Sequence, residues 1–193
     1  MKAIKKSTEE LVAEREENAQ NERTPIVVVA DNIRSLDNIG LLFRLCDLAR
    51  VEKLYLTGYT GYPRLENDER PKDISARHQR RIEKTAVYAL DHQPWEYVED
   101  AVPMVRDKKD NGWNVIALEQ TDQSVPYHKL QVTDYELPVA LIVGHERRGV
   151  RQELLELSNH VIEIPILGQG NSHNVATATG IVLYSMLEKL GKI

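Results

Sequence analysis

From residue 25 onward, apolar residues follow two different patterns along the chain. The run 26–30 is continuous and β-branched, which is typical of a strand buried on both faces. Comparable runs predict further strands, at 53–57, 114–118, 139–143 and 160–164. Apolar residues at helical spacing predict helices between them, at 39–49, 75–90, 100–109, 151–157 and 174–190, with a break near Pro103 in the third. This alternation predicts an α/β fold with a mainly parallel sheet and helices on both faces.

Two segments fall outside that pattern. Residues 1–23 are mostly polar, and Ser7 and Glu10 have capping-box spacing, which predicts a short helix that docks on a partner or frays. A disordered tail is the alternative for this segment. Residues 58–74 form a long loop with two glycines and two prolines, and loops of this length are usually functional or disordered. The chain is therefore divided into an N-terminal extension, 1–23, and one larger domain, 24–193.

Charge is distributed unevenly along the chain. The net charge of −5 argues weakly against a nucleic-acid partner. However, residues 70–84 carry six Lys or Arg against two Asp or Glu, whereas residues 85–136 carry ten acidic against four basic residues. A basic stripe beside an acidic half can still bind a polyanion through one face. A solvated, ion-paired helix surface is the alternative.

The residue types present exclude several classes of protein. A single cysteine, Cys46, excludes an internal disulfide and a thiolate zinc site. The longest apolar runs, 26–30 and 139–143, are far shorter than the ~20 residues that span a bilayer. The polar start of the chain predicts no signal peptide, and no metal-site spacing occurs. We therefore expect a soluble, cytoplasmic protein that binds no metal and no membrane.

The segments that follow the predicted strands are the candidates for chemistry, because ligands of open parallel sheets bind outside the carboxyl ends of the strands. The first of these segments, 31–44, places Arg44 in an otherwise apolar helix. A cation in that position needs either a function or an ion pair, for which Asp31 and Asp47 are the candidate partners.

Two further segments follow later strands. In 144–150, two glycines surround Glu146 and two arginines, and glycine lets backbone approach a ligand closely; an ordinary turn is the alternative. In 164–175, a Gly-x-Gly pair invites a dinucleotide-binding interpretation, but the third glycine of that motif is missing. Ser172 or Asn174 would instead cap the last helix, whose positive end suits a carboxylate or phosphate.

Together, these segments resemble the three motifs of the SpoU (TrmH-type) RNA ribose 2'-O-methyltransferases of the SPOUT superfamily. The motifs are matched in order by Asn38, Gly40 and Arg44, by Gly144, Glu146 and Gly149, and by residues 164–165 and 172–175. Order and separations fit over residues 25–190. The chain departs from the family at His173, at Ala176 and over 86–91, where leucine, serine and a Gly-Ala-Glu pattern are common. These departures concern the shape of the cofactor pocket and leave the catalytic set intact.

The resemblance carries implications for fold, cofactor and assembly. It implies that 24–193 is a methyltransferase domain with a C-terminal trefoil knot, that S-adenosylmethionine binds in the knot, and that the protein is a homodimer. The cofactor-binding residues implied by position are Leu118, Gly144, Ile164, Ile166 and Ser172. The catalytic residues implied by position are Asn38, Arg44, Glu146, Ser172 and Asn174.

The resemblance further implies an enzyme that methylates a ribose 2'-OH of tRNA or rRNA. Such a hydroxyl is a poor nucleophile until its proton is removed, so the enzyme must supply orientation and a base. Arg44 is the base proposed for the family, although a guanidinium normally keeps its charge and also suits orienting a phosphate and a hydroxyl. The residues expected to hold the RNA backbone are Arg77, Arg80, Arg81, Arg147 and Arg148. The alternative is a catalytically weak RNA-binding or assembly protein on the same fold, with His173 and Ala176 as signs of decay.

Overall fold

The computed structural model of the chain describes residues 4–20 and 22–193. Its strands are β1 (Thr24–Asp31), β2 (Val51–Thr57), β3 (Trp95–Val98), β4 (Asn114–Leu118), β5 (Val125–Pro126), β6 (Val139–Val143) and β7 (His160–Glu163). Its helices are α1 (Thr8–Gln20), α2 (Leu36–Leu48), α3 (Lys72–Ala86), α4 (Ala89–His92), α5 (Ala101–Asp110), α6 (Gln152–Leu157) and α7 (Val175–Lys189). Two short 3-10 turns, Tyr127–Lys129 and Val132–Tyr135, lie between β5 and β6.

These strands pair in parallel and form one sheet in the order β3-β2-β1-β6-β4-β7-β5. From β1 the chain first adds β2 and β3 on one side and then adds strands on the other, with β6 next to β1. Such a reversal opens a crevice at the carboxyl ends of the strands. The predicted α/β fold with a mainly parallel sheet is confirmed. The trefoil knot stays a prediction, because strand order does not define threading.

Burial on both faces explains the continuous apolar run of β1. Ile26, Val28 and Ala30 pack in the core that contains residues of α2, α3 and α7, and all three are fully buried. Val27 and Val29 are equally buried in the second core, with residues of α5 and α6. Helices therefore cover both faces of the sheet, as the sequence pattern predicts.

Several elements differ from the sequence-based predictions. The predicted break near Pro103 is wrong: α5 is continuous, because Pro103 lies in the first turn after the N-cap Asp100, where its missing N–H is not needed. The predicted helix 75–90 is two helices, α3 and α4, separated by Val87 at φ 57°. The pattern does not predict β3 and β5, because four and two residues are too few to show a period.

The N-terminal extension contains the predicted short helix, α1. The capping box is present: the Ser7 N–H donates to Glu10 Oε2 at 2.6 Å, and the Glu10 N–H donates to Ser7 Oγ at 3.2 Å. The division of the chain at residue 23 stays a prediction. None of the described helices is long and apolar enough to cross a membrane.

Gly40 determines how closely α2 approaches α3. A Cβ atom at this position would overlap Thr85 Oγ1 and the carbonyl oxygen of Ile82. The Thr85 hydroxyl also donates to the carbonyl oxygen of Asp37 at 2.9 Å. The small residue of the first motif therefore brings the start of α2, which carries Asn38, against the basic helix α3.

Arg70 connects several parts of the loop between β2 and α3. Its guanidinium donates to Asp68 at 2.6 Å and to the carbonyl oxygens of Tyr62 and Pro63, at 3.0 and 2.9 Å. The hydrogen bond from Arg70 keeps the pKa of Asp68 well below its ordinary value. Arg70 also stacks over the Tyr62 ring, which stacks on Tyr97 of β3 with ring centroids 4.1 Å apart. The loop is thereby fixed to the sheet beside the carboxyl ends of β1 and β2.

Candidate active site

Three segments meet at the carboxyl edge of the sheet, after β1, β6 and β7, and hydrogen bonds join one side chain from each. Asn38 Nδ2 donates to Glu146 Oε1 at 2.9 Å. Asn174 Nδ2 donates to Asn38 Oδ1, also at 2.9 Å. These bonds connect residues that are 108 and 136 positions apart in the chain. The structure therefore brings together three of the five residues for which the resemblance implies a catalytic role.

The pattern of donors and acceptors fixes the orientation of each side chain in this network. A carboxylate only accepts, so Glu146 requires the NH2 group of Asn38, whose oxygen is left to accept from Asn174. Asn174 Oδ1 then accepts from the backbone N–H groups of Ala176 and Thr177, at 3.0 and 3.2 Å, and so caps α7. One carboxylate thus sets the direction of the whole chain of hydrogen bonds.

Glu146 also accepts hydrogen bonds from the backbone that leads into α2. The N–H groups of Arg34 and Ser35 donate to its two carboxylate oxygens at 3.0 and 2.9 Å. Burial alone raises the pKa of this carboxyl, but its backbone donors and the Asn38 amide together outweigh burial and lower the pKa below its ordinary value. The ionised carboxylate therefore stabilises the fold fully at pH values above the ordinary pKa of a glutamate. This stabilisation is lost as the pH falls through the lowered pKa. At neutral pH Glu146 is an ionised acceptor, which suits positioning rather than proton removal.

The turn after β6 is closed on itself. The His145 N–H donates to the Gly149 carbonyl at 3.1 Å, and the Gly149 N–H donates back to His145 at 2.8 Å. His145 Nδ1 accepts the Arg147 N–H at 2.8 Å, so this histidine holds the turn. A Cβ atom at Gly144 would overlap the backbone of Gly149. Gly144 therefore permits a close approach of the turn to its own backbone, and the approach to a ligand expected from the sequence stays a prediction.

Two further carboxylates brace these loops, and the motif analysis does not identify them. Buried Asp31 accepts two hydrogen bonds from Arg151, at 2.8 and 3.1 Å, and one from the Thr57 hydroxyl at 2.7 Å. Glu119 accepts the Val150 N–H at 2.7 Å. Both acids stand at a strand end, since Asp31 closes β1 and Glu119 directly follows β4. That position is the sequence signal by which they could have been found.

A cleft of about 520 Å³ lies between the ends of β4, β6 and β7. It is lined by four of the five residues expected at the cofactor site, namely Leu118, Gly144, Ile164 and Ser172. Ile166, the fifth, lies outside this lining, in the loop after β7. The Ser172 side chain is exposed in the cleft. This volume lies within the range of small-molecule sites, about 300–1,000 Å³.

A second cleft, of about 640 Å³, adjoins the first and shares residues 145–147 with it. Its lining also contains Asn38, so the hydrogen-bond network forms part of its wall. Four arginines line it, which are Arg34, Arg77, Arg81 and Arg147. Within the described residues, the guanidinium groups of Arg34, Arg77 and Arg147 make no hydrogen bond or ion pair. The second cleft is therefore a site with available positive charge.

The other arginines expected to hold RNA have different positions. Arg81 lines the second cleft but is paired with Asp37 at 2.6 Å. Arg148 lines the first cleft, and Arg80 is exposed on α3 and lines neither. Of the five arginines expected to hold RNA, three therefore line the second cleft, Arg148 lines only the adjoining first cleft, and Arg80 lines neither; their contact with RNA stays a prediction.

Arg44 lies away from the network. It is exposed on α2 and lines a groove between α2 and α7, together with Leu48 and Tyr184. The ion pair considered with Asp31 does not form, because Arg151 occupies that carboxylate. Among the described residues, Arg44 makes no ion pair with Asp47 or with any other acid. One chain therefore does not bring Arg44 to the other candidate catalytic residues.

Comparison with known proteins identifies the family. The model of the SpoU rRNA Methylase family matches residues 25–184, which contain all three motifs. The chain belongs to the SpoU rRNA methylase family. Membership assigns it to the RNA methyltransferases, which confirms the enzyme class that the resemblance implies. Among the described residues, no group of three or more His, Cys, Asp or Glu could hold a metal ion.

Individual members of this family resemble the chain over most of its length. The tRNA (guanosine(18)-2'-O)-methyltransferase of Aquifex aeolicus is 28% identical over 162 residues, which cover 82% of this chain and 67% of the relative. The crystal structure of the A. aeolicus TrmH/SpoU tRNA modifying enzyme matches with a TM-score of 0.69 and 25% identity, covering 94% of this chain and 85% of that one. The AdoMet-bound rRNA methyltransferase from Sinorhizobium meliloti matches with a TM-score of 0.67 and 25% identity, covering 86% and 56%. The chain spans only 58–61% of the TrmH family relatives from Staphylococcus species.

Proposed function

We propose that this SpoU-family chain transfers a methyl group from S-adenosylmethionine to a ribose 2'-OH of tRNA or rRNA. The observation that carries the proposal is the network of Glu146, Asn38 and Asn174 at the wall between two clefts. One cleft has the size of a small-molecule site, and the other has available positive charge. A cofactor in the first would lie beside a polyanion in the second. The name of the Aquifex relative, a tRNA 2'-O-methyltransferase, supports this assignment.

The residues of the first cleft fit S-adenosylmethionine. Leu118 and Ile164 offer apolar surface for a flat base, and the carboxylates of Glu119 and Glu163 suit a ligand with positive charge. The hydroxyl of Ser172 is exposed for a polar contact. When bound, S-adenosylmethionine supplies an activated methyl group on its sulfonium. The AdoMet-bound Sinorhizobium structure supports this choice of cofactor.

Each residue of the network then has a role in holding the substrate. Glu146, Asn38 and Asn174 fix the starts of α2 and α7 against the turn after β6, so we assign them to positioning the ribose beside the cofactor cleft. Arg44 lies outside this network, and we assign it to orienting the hydroxyl and a neighbouring phosphate at the site of a partner subunit, because its guanidinium is charged and presents several donors. Holding both reactants in place converts a bimolecular reaction into an effectively unimolecular one, which is how such a site raises the rate.

The departures at His173 and Ala176 do not favour the alternative of a decayed, RNA-binding protein. His173 lines the cofactor cleft without joining the network, and the Ala176 N–H donates to Asn174 as part of the helix cap. The catalytic set is therefore compatible with both substitutions. We place the enzyme in the cytoplasm, where tRNA and rRNA are available.

The choice of cofactor is tested by calorimetric titration with S-adenosylhomocysteine and with NAD. We expect a single site for S-adenosylhomocysteine and no binding of NAD, since the Gly-x-Gly segment lacks its third glycine and lies in an exposed loop. Label transfer from S-adenosylmethionine to RNA by the same preparation tests the activity. Binding of NAD alone would contradict the assignment.

We further propose that the enzyme is a homodimer formed through the groove between α2 and α7. Leu48 and Tyr184 line this groove with 61% and 42% of their surface exposed. Arg44 lies in the same groove, away from the network of its own chain. A second copy packed on α2 and α7 would cover the apolar residues and bring one Arg44 toward the site of its partner.

Leu48→Glu is expected to convert the dimer into a monomer, because it places a charge in the apolar part of the groove. Light scattering should give about 44 kDa for the wild type, twice the chain mass of 22.1 kDa, and 22.1 kDa for the variant. Ile193→Glu is the matched control, since Ile193 is 69% exposed at the end of the chain and does not line the groove. A monomeric wild type at micromolar concentration would count against the dimer.

A further inference from the structure

Tyr59 is a large exposed side chain in the second cleft that the proposed mechanism does not use. It lies two residues after the end of β2, and 58% of its surface is accessible. Its ring meets His145 edge to face, with centroids 6.0 Å apart and an interplanar angle of 74°. A T-shaped contact covers at most one face of the tyrosine ring, so the other face is available to another flat group.

The backbone under this ring is held by a chain of polar contacts. The Tyr59 N–H donates to Asn32 Oδ1 at 3.1 Å, and Asn32 Nδ2 donates to Asp31 Oδ2 at 2.9 Å. Asp31 is in turn fixed by its two hydrogen bonds from Arg151. A ring on such a fixed backbone loses little conformational freedom when it binds a partner, so its contact surface is preorganised.

Three arginines with available guanidinium groups line the same cleft as Tyr59. Arg34, Arg77 and Arg147 line the cleft with Tyr59, and their guanidinium groups make no hydrogen bond or ion pair within the described residues. Arginine pairs with phosphate through two parallel hydrogen bonds and also stacks on base rings. An aromatic platform among available arginines is the chemistry by which proteins bind unpaired nucleotides.

We propose that the second cleft is the acceptor site for one unpaired nucleotide of an RNA strand. Its base stacks on Tyr59, and its flanking phosphates bind Arg34, Arg77 and Arg147. The cleft also contains Asn38 and Glu146, so a nucleotide held there has its ribose beside the network. A base inside a duplex has both faces covered by its neighbours, so the substrate is a loop, a bulge or a nucleotide turned out of its helix. This inference rests on the proposed function, because it gives the acceptor side of that same site.

The test is the affinity of the full chain for a fluorescein-labelled, unstructured RNA of roughly 12 nucleotides, compared with the same strand in a duplex. We expect Tyr59→Ala to weaken binding of the single strand on the order of 10-fold, because one stacking contact is lost, and to leave duplex affinity unchanged. Tyr59→Phe should keep the wild-type affinity, since it retains the ring. Tyr88→Ala is the matched control, because Tyr88 is 74% exposed and lies outside the second cleft.

Salt dependence separates stacking from phosphate binding. Tyr59→Ala should keep the wild-type slope of log affinity against log salt concentration, whereas Arg77→Ala should flatten this slope by roughly 0.7, the value of one phosphate contact on a single strand.

Equal single-strand affinities of Tyr59→Ala and the wild type would overturn the proposal, and so would an equal loss of affinity for the duplex. If the wild type transfers no methyl group to RNA, the proposed function is wrong. The affinities of Tyr59→Ala and the wild type for single-stranded RNA then still show whether the second cleft binds an unpaired nucleotide. An active wild type with normal binding by Tyr59→Ala overturns the subsite alone.

Discussion

Replacing Arg44 with alanine is expected to lower methyl transfer on the order of 100-fold or more at saturating RNA and cofactor, the size of a typical proton-transfer or orienting effect. Binding of S-adenosylhomocysteine should stay unchanged, because Arg44 lies outside the cofactor cleft. The free energy of unfolding should change by less than about 0.5 kcal/mol, since the side chain is exposed and makes no hydrogen bond or ion pair within the described residues. Single-turnover rates, calorimetry and urea unfolding measure these three quantities.

Two variants define the Arg44 experiment further. Arg44→Lys keeps the charge but loses the planar array of donors, so its rate should lie between those of the wild type and the alanine variant. Arg106→Ala removes an exposed arginine from α5, on the opposite face of the sheet from α2, and should leave all three quantities unchanged. A fully active Arg44→Ala enzyme would show that the essential group lies elsewhere.

Asn38→Asp is expected to damage both activity and stability, in contrast to Arg44→Ala. The substitution replaces an NH2 donor by an oxygen at the position that lies 2.9 Å from the Glu146 carboxylate. Two acceptors then face each other in a half-buried site, so the free energy of unfolding should fall by about 2–3 kcal/mol. Methyl transfer should fall on the order of 100-fold, since the start of α2 is no longer held against the turn after β6. Urea unfolding and transfer rates of the same preparation check both values.

A compensating change tests whether this loss comes from the contact itself. Adding Glu146→Gln to Asn38→Asp restores a donor and an acceptor between these two side chains, because the new amide can donate to the new carboxylate. The same NH2 group then faces the Ser35 N–H, which donates to Glu146 Oε1 in the wild type, so the compensation is incomplete. The new carboxylate can still accept from Asn174, so the double variant should recover part of the lost stability. The amount by which the free energy of unfolding of the double variant exceeds the value expected from adding the two single losses measures the coupling between residues 38 and 146. If the two single losses simply add, the network does not carry the energy assigned to it.

The sequence predicts the parts of the fold that depend on local pattern. The runs 114–118 and 139–143 coincide with β4 and β6, because strands of a parallel sheet are buried on both faces and read as continuous apolar segments. The two-residue strand β5 has no such pattern and is not predicted. The prediction of a helix break near Pro103 is wrong for a different reason. The effect of a proline on a helix depends on its distance from the N-cap, and the sequence defines helix boundaries poorly.

The site shows where prediction from residues ends. The strand-end rule and the resemblance together select Asn38, Glu146 and Asn174, but the hydrogen bonds that orient them exist only after residues more than 100 positions apart meet. The ion pair considered between Arg44 and Asp31 is wrong for the same reason, because Asp31 pairs with a residue 120 positions away. Tyr59 is not identified, since one exposed tyrosine in a loop has no periodic or motif signal. Its proposed role in binding a base depends on the arginines that line the same cleft.

The atom that receives the methyl group is the most direct measurement of the proposed activity. Purified enzyme is incubated with methyl-labelled S-adenosylmethionine and unmodified tRNA and rRNA, and the RNA is digested to nucleosides for mass spectrometry. We expect the label on a ribose, as one 2'-O-methylnucleoside that forms on the order of 100-fold more slowly when Arg44→Ala replaces the wild type. Label on a base with none on ribose, or no label in either RNA, would contradict the assignment of this chain as a ribose 2'-O-methyltransferase.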